Sequence, residues 1–213
     1  ELATVMAKYK GHVVATTACM GGELSTAAYN MTLAENVNDM ASASIFYQQI
    51  CDFLTYCINV FGDDFYIECA PSTAEDQCIT NRKLYRIAQA YNIPMIVGTD
   101  SHYLTSKERP IHKAYLNSKD GEREVDDFYE FSHLMNSEEA TELLKHSYDI
   151  NTIQDIFANS EELRNKITFY SLERKQIIPK VEVKNYPKTL SYFGINNDCR
   201  DELDSNWITI KDL

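Results

Sequence analysis

Ile93-Pro94-Met95-Ile96-Val97-Gly98-Thr99-Asp100-Ser101-His102 is the stretch from which the rest of the chain can be read. Proline is tolerated at the first residue of a strand because it has no N–H to give the ladder. Behind it, Met95 to Thr99 is apolar and β-branched, the composition of a buried strand. The strand ends on an Asp-x-His pair. Positions i and i+2 of an extended chain share a face, so the Asp100 carboxylate and the His102 imidazole can point the same way.

Working back from this strand, Leu84, Ile87, Ala88 and Tyr91 recur at spacings of three and four, the inner stripe of a helix. Ser72-Thr73-Ala74-Glu75 opens that helix as a capping box, and Asn92 stops it. Phe65 to Cys69 precedes it as another strand. Before that, Tyr47, Ile50, Phe53, Leu54, Cys57, Ile58 and Phe61 fall on one face of a helix over 47–61. Gly62 ends it, since a left-handed residue after a helix is cheap only for glycine. The first element is His12 to Ala18, a β-branched run that stops at Cys19 and is turned by Gly21-Gly22. Strand, helix, strand, helix, strand with short connections predicts a parallel α/β arrangement, either open or closed into a barrel.

Beyond residue 105 the texture changes. A helix is predicted over 107–117, then an acidic polar loop over 119–127 and the aromatic run Phe128-Tyr129-Glu130-Phe131. Residues 137–167 read as helical, with Leu143, Leu144, Ile150, Ile153, Ile156, Phe157 and Leu163 as inner positions. From Gln176 onward, Pro179 and Pro187 interrupt a stretch without a period, read as an extended tail or the start of a further domain.

Composition sets the outer limits. A 44% apolar share with 24% charged residues suits a globular chain of 213 residues, one domain or one and part of a second. No run of 18 apolar residues occurs, so no membrane span is expected. The chain opens Glu1-Leu2-Ala3-Thr4 without Met or a signal-like segment, which suggests a piece of something longer. Six cysteines at irregular spacings do not form a disulfide framework, and a reducing cytoplasm is the expected setting. Twenty basic against 32 acidic residues leave a net charge of −12, which repels a phosphate backbone. Direct DNA binding by this chain alone is therefore not expected, and Trp207 and the many tyrosines are not read as a base-stacking surface.

In parallel α/β folds, ligands collect where the strands end. Two strand ends carry metal-competent groups, Cys19 at one and Asp100 with His102 at the other. Thiolate, carboxylate and imidazole together suit zinc, manganese or iron. The plainer readings stay open beside this one: a buried cysteine is usually a small core residue, and an Asp-Ser-His turn often caps a helix. Asp63-Asp64 and Asp126-Asp127 read as solvated turn residues. His12, His133 and His146 have no visible convergent partners.

These segments carry a resemblance. Ala18-Cys19-Met20-Gly21-Gly22-Glu23, Phe61 to Glu68 (FGDDFYIE) and Ile93 to Leu104 (IPMIVGTDSHYL) are similar, in the same order, to segments of the PHP domain in family C DNA polymerase III alpha subunits. Asp126-Asp127-Phe128-Tyr129 and Ser137-Glu138-Glu139 fit the stretch that comes next in that family, so the likeness covers about residues 10–165. It implies a distorted (β/α)7 barrel, present here in part and followed by a helical segment. By it, 1–135 is the C-terminal part of a PHP domain, 136–175 a helical connection towards the palm, and 176–213 a tail or next domain. It places Cys19, Asp100 and His102 at three metal-ligand positions, with His112 packed or hydrogen-bonded behind them.

The His-x-His pair that opens such a site does not occur in this sequence, and neither does the aspartate triplet of the polymerase palm. The resemblance therefore implies a fragment of a replicative DNA-directed polymerase, a nucleotidyltransferase whose chemistry lies outside this chain. Its role would be to brace the polymerase, with a tie to proofreading. The expected partners are the rest of the alpha subunit and an exonuclease subunit, with DNA reached only through the whole enzyme. The divalent ion belongs to the complete domain, and this chain alone is expected to be inactive and to hold it loosely if at all. Two other readings compete: a stand-alone PHP-type phosphoesterase, and a metal-free module that docks an exonuclease. Cellular and phage origins are equally compatible with the sequence.

Overall fold

The computed structural model describes residues 2–120, 129–171 and 173. The expected tail from Gln176, with Trp207 and Cys199, lies outside the described residues, as do Asp126-Asp127 and most of the acidic loop. Residues 1–168 form one compact unit and 169–213 a second.

The elements of the first unit run α1 (Leu2–Met6), a 3-10 turn (Ala7–Tyr9), β1 (Ala15–Thr16), α2 (Glu23–Asn36), α3 (Met40–Phe61), β2 (Phe65–Cys69), α4 (Glu75–Tyr91), β3 (Met95–Val97), α5 (Arg109–Asp120), α6 (Ser137–Leu144) and α7 (Ile150–Lys166). The strands form a parallel sheet in the order β1-β2-β3, with Ala15 opposite Phe65 and Ile67 opposite Met95. This is the predicted α/β arrangement, with β2 spanning the residues expected and β1 and β3 shorter than expected. β1 keeps only two residues of the run 12–18. Beyond it the buried Thr17 still joins the sheet, its hydroxyl accepting the Glu68 N–H at 3.0 Å. Gly98 likewise continues β3 by donating to the Cys69 carbonyl at 2.9 Å.

Side chains alternate across the strands, so Phe65, Ile67 and Cys69 enter one core with Leu24, Ile50, Leu54, Leu84 and Met95. The helices α2, α3 and α4 lie over this face. The expected stripe of α4 is confirmed in Leu84, Ile87 and Ala88, all buried, and Asn92 ends the helix in the left-handed region at φ 53°. Gly62 ends α3 as predicted, at φ 58°.

Four local expectations are corrected. The stripe of α3 is narrower, because Tyr47 and Ile58 are exposed while Ile50, Leu54 and Cys57 are buried. The helix also starts earlier, at Met40, where the Asp39 carboxylate accepts the Ser42 N–H at 3.1 Å. Ser72 does not form a capping box: its hydroxyl accepts the Ala74 N–H at 3.0 Å in a turn before the helix, which starts one residue later on Glu75. The stretch read as helical over 137–167 holds two helices, with 145–149 outside both. They are broken by a turn in which Asp149 accepts the N–H groups of Asn151 and Thr152 and starts α7.

Neither the short α1 nor the longer α2 is foreshadowed by the sequence pattern. Helix α2 buries Leu24, Ser25, Ala27, Ala28 and Ala34, a face made mostly of small residues that leaves a faint apolar period. α6, α7 and the turn between them belong to the same compact unit and send Leu144, Tyr148, Ile153 and Ile156 into the common core. α7 also closes one side of the sheet: the Val97 N–H donates to Ser160 Oγ at 3.1 Å, and Asn159 Nδ2 donates to the Met95 carbonyl at 3.0 Å. Among the described residues no helix is long and apolar enough to cross a membrane.

Candidate metal centre at the strand ends

β1 delivers Cys19 through a tight turn. Ala18 takes φ 62°, a left-handed conformation that costs a residue with a Cβ about 1–2 kcal/mol. Three residues later the turn closes on Gly22, whose N–H donates to the Cys19 carbonyl at 2.9 Å. A Cβ on Gly22 would lie 2.5 Å from the Thr17 carbonyl oxygen, so no larger residue fits. α2 starts immediately after it.

β3 delivers the second group of residues with a similar strain, Asp100 standing at φ 45°. Its carboxylate reaches Cys19. Burial pushes the Cys19 thiol above its ordinary value, and the Asp100 charge and hydrogen bond push the same way, against a backbone N–H at Gly21. His102 stands on the other side of Asp100, its Nδ1 2.6 Å from the Asp100 carbonyl and 3.9 Å from the carboxylate. A carbonyl only accepts, so Nδ1 carries a hydrogen, and in the neutral ring the lone pair is on Nε2.

The structure thus brings Cys19 and Asp100 together, with His102 adjoining Asp100. The ring of His102 turns towards an aromatic group: Tyr129 at 4.7 Å and His112 at 5.5 Å between centroids. His112 meets His102 through ring packing. It also touches Tyr103 and Tyr129, and its Nδ1 is buried without a hydrogen-bond partner among the described residues. Burial lowers its pKa, and the Arg109 charge, with that of His102 when protonated, pushes the same way. His133 does have company, packed parallel to Tyr103. His12 and His146 are exposed.

A cavity of about 240 Å³ opens between the strand ends, lined among others by Cys19, Ser72, Asp76, Gln77, Asp100 and Phe131. Its charged lining residues, Asp76 and Asp100, are both acidic, which suits a cation and opposes a bare phosphate. Thiol, carboxylate and imidazole in succession are the donor types of a borderline-soft divalent ion. In chemistry they fit part of such an ion's shell. Among the described residues, however, no three His, Cys, Asp or Glu side chains converge closely enough to hold one.

Three features of this mouth are not legible in the sequence. Glu68 lies between the strand ends: a Cβ on Gly98 would sit 2.2 Å from Glu68 Oε2, so the glycine makes room for this carboxylate. Alternation along β2 is enough to put Glu68 on the face opposite Ile67, but nothing in the sequence pairs it with Gly98. Phe131 and Ser132 form a cavity wall, and Tyr129 packs on His102. Both come from a segment that reaches the site only through long-range contacts.

No family model matches the chain. Among known proteins, it is 40% identical over 187 residues to "Probable DNA polymerase YorL" of Bacillus subtilis (strain 168) and equally to a "DNA-directed DNA polymerase" of Bacillus phage SPbeta. "DNA polymerase III subunit alpha" of Aquifex aeolicus is 29% identical over 112 residues, 53% of this chain and 8% of that protein. The chain is thus similar, over 87% of its length, to one stretch making up 14% of two far longer proteins that bear the name of DNA polymerase.

Proposed function

We propose that this chain is a piece of a DNA polymerase of the III alpha type, the C-terminal part of its PHP region, with Cys19, Asp100 and His102 as a partial metal site. The observation that carries this reading is the meeting of Cys19 with Asp100 beside His102 at the ends of β1 and β3. The relatives named above are polymerases and match most of this chain, which agrees with it. The three parallel strands are then part of a (β/α)7 barrel, and further ligands come from elsewhere in the polypeptide. Zinc, manganese or iron bound there would polarise a phosphoryl oxygen and lower the pKa of a bound water. The chain's own contribution is a thiol, a carboxylate and an imidazole with a free Nε2. Nucleotidyl transfer lies outside it, and its role in the whole enzyme is to brace the polymerase and support proofreading.

The test compares metal content and hydrolysis of a nitrophenyl phosphodiester for this chain and for a version extended towards the N-terminus of its parent polypeptide. The extended chain is expected to hold metal and lose it on His102→Ala, with the short chain inactive. Turnover by the short chain, abolished by His102→Ala, would replace this reading with a stand-alone phosphoesterase. An extended chain free of metal would replace it with a module that docks an exonuclease subunit.

A further inference from the structure

The Asp100-Ser101-His102-Tyr103 turn is held from one side by the segment 129–134. The His102 N–H donates to the Ser132 carbonyl at 2.7 Å, and the Leu134 N–H donates to the Tyr103 carbonyl at 3.1 Å. Ser101 Oγ donates to the His133 carbonyl at 3.2 Å. These bonds make a short parallel pairing, Tyr103 opposite His133, that continues past the end of β3. Ser132 is buried, so the pairing is shielded from water on that side.

Tyr103 does more than pair through its backbone. Its hydroxyl proton is shared between the carbonyls of Tyr129 and Glu130, the latter at 2.8 Å. Its ring lies against His112 and His133. The phenol therefore fixes the start of the same segment whose Tyr129 ring packs on His102, while Phe131 and Ser132 wall the cavity.

We infer that Tyr103 is a positioning residue for His102: its hydroxyl anchors the segment 129–134, and that segment fixes the backbone and ring of His102 so that Nδ1–H stays on the Asp100 carbonyl and Nε2 stays free. The functional sense of a free Nε2 rests on the reading of His102 as a metal donor, but the positioning itself does not. An imidazole held by its other nitrogen in one tautomer is a better ligand, and loss of such outer contacts typically costs about 10–100-fold in metal affinity. Tyr129 supplies the ring contact and Tyr103 the anchor, two separable parts.

Nitrogen–proton correlation spectra of the histidine rings, taken at about pH 8 where free histidine is neutral, read the tautomer directly in the absence of metal. The wild-type chain should show His102 as the Nδ1–H tautomer. Tyr103→Phe, which keeps the ring and removes the anchor, should give a mixture of tautomers, and Tyr129→Leu should move the His102 ring protons by removing the neighbouring ring. In the version extended towards the N-terminus, cobalt(II) affinity, followed by the thiolate charge-transfer band, should fall about tenfold in Tyr103→Phe. Unchanged His102 ring signals in Tyr103→Phe would overturn the inference whatever the cobalt shows. If His102→Ala leaves cobalt affinity unchanged, the metal reading fails instead, and the ring spectra still decide the role of Tyr103.

Discussion

Two polar groups of residues, one around Asn81 of α4 and one at the strand-end mouth, are built on opposite terms. Around Asn81 every polar atom is matched. This fully buried amide accepts the Ala70 N–H at 3.3 Å and donates to the Ala70 carbonyl at 2.9 Å and to Ser147 at 3.2 Å, while its own carbonyl receives the Tyr148 hydroxyl at 2.8 Å. At the strand-end mouth the terms are reversed. Ala18 and Asp100 hold left-handed backbone, the Cys19 thiol leans on a carboxylate, and the Nδ1 atoms of His112 and His133 have no hydrogen-bond partner among the described residues. A matched group of this kind fixes the fold, whereas a strained and partly matched one gives up stability for reactive groups in fixed places. The contrast sets the mouth apart from the rest of the described core, and it can be broken by experiment.

The largest effect is expected at the matched group. Asn81→Ala strands both backbone groups of Ala70 and should cost about 3 kcal/mol in urea unfolding, with little change in the denaturant slope. A loss under about 1 kcal/mol would mean that the matching around Asn81 does not hold the fold together. The buried thiol beside it gives a smaller, pH-dependent effect. Burial pushes Cys69 up to about 12, against an ordinary value of 9.0. Above the ordinary value the unfolded chain loses this proton while the folded chain keeps it, so stability falls as pH rises from about 9 towards 12. The limit is about 1.4 kcal/mol per pH unit. Comparing wild type with Cys69→Ala at pH 8 and at pH 10 should show the steeper loss in wild type; equal slopes would refute the assignment to Cys69. The smallest effect has the opposite sign and belongs to the mouth. Ala18→Gly relieves a left-handed residue whose side chain is exposed and should stabilise by about 0.5–1 kcal/mol, read as a higher urea midpoint. A lower midpoint would mean that the turn is not strained.

The same contrast explains what can be read in advance. Leu84, Ile87 and Ala88 are legible as a buried stripe because large apolar residues alternate with polar ones at helical spacing. Ala27, Ala28 and Ala34 of α2 are not, since small residues pack closely without leaving a strong period. Cys19 is legible as a strand-end group because Gly21-Gly22 marks the turn, and Asp100 because the apolar, β-branched run stops at it. What the sequence does not carry is the partner of each group. The seat of Glu68 against Gly98, and the hold of Ser132 on His102, depend on how distant segments cross in space. The break at Asp149 is hidden for a local reason: a capping side chain outweighs a helical period that runs straight through it.

The two bonds from Asn159 and Ser160 to the outer side of β3 give this sheet a direction of growth. Unpaired strand edges are the usual route by which sheets recruit other chains. Here one border is already sealed by side chains that imitate a neighbouring strand. Among the described residues, a strand added without dislodging α7 joins at β1, and closing this sheet into a barrel would require α7 to give up both bonds.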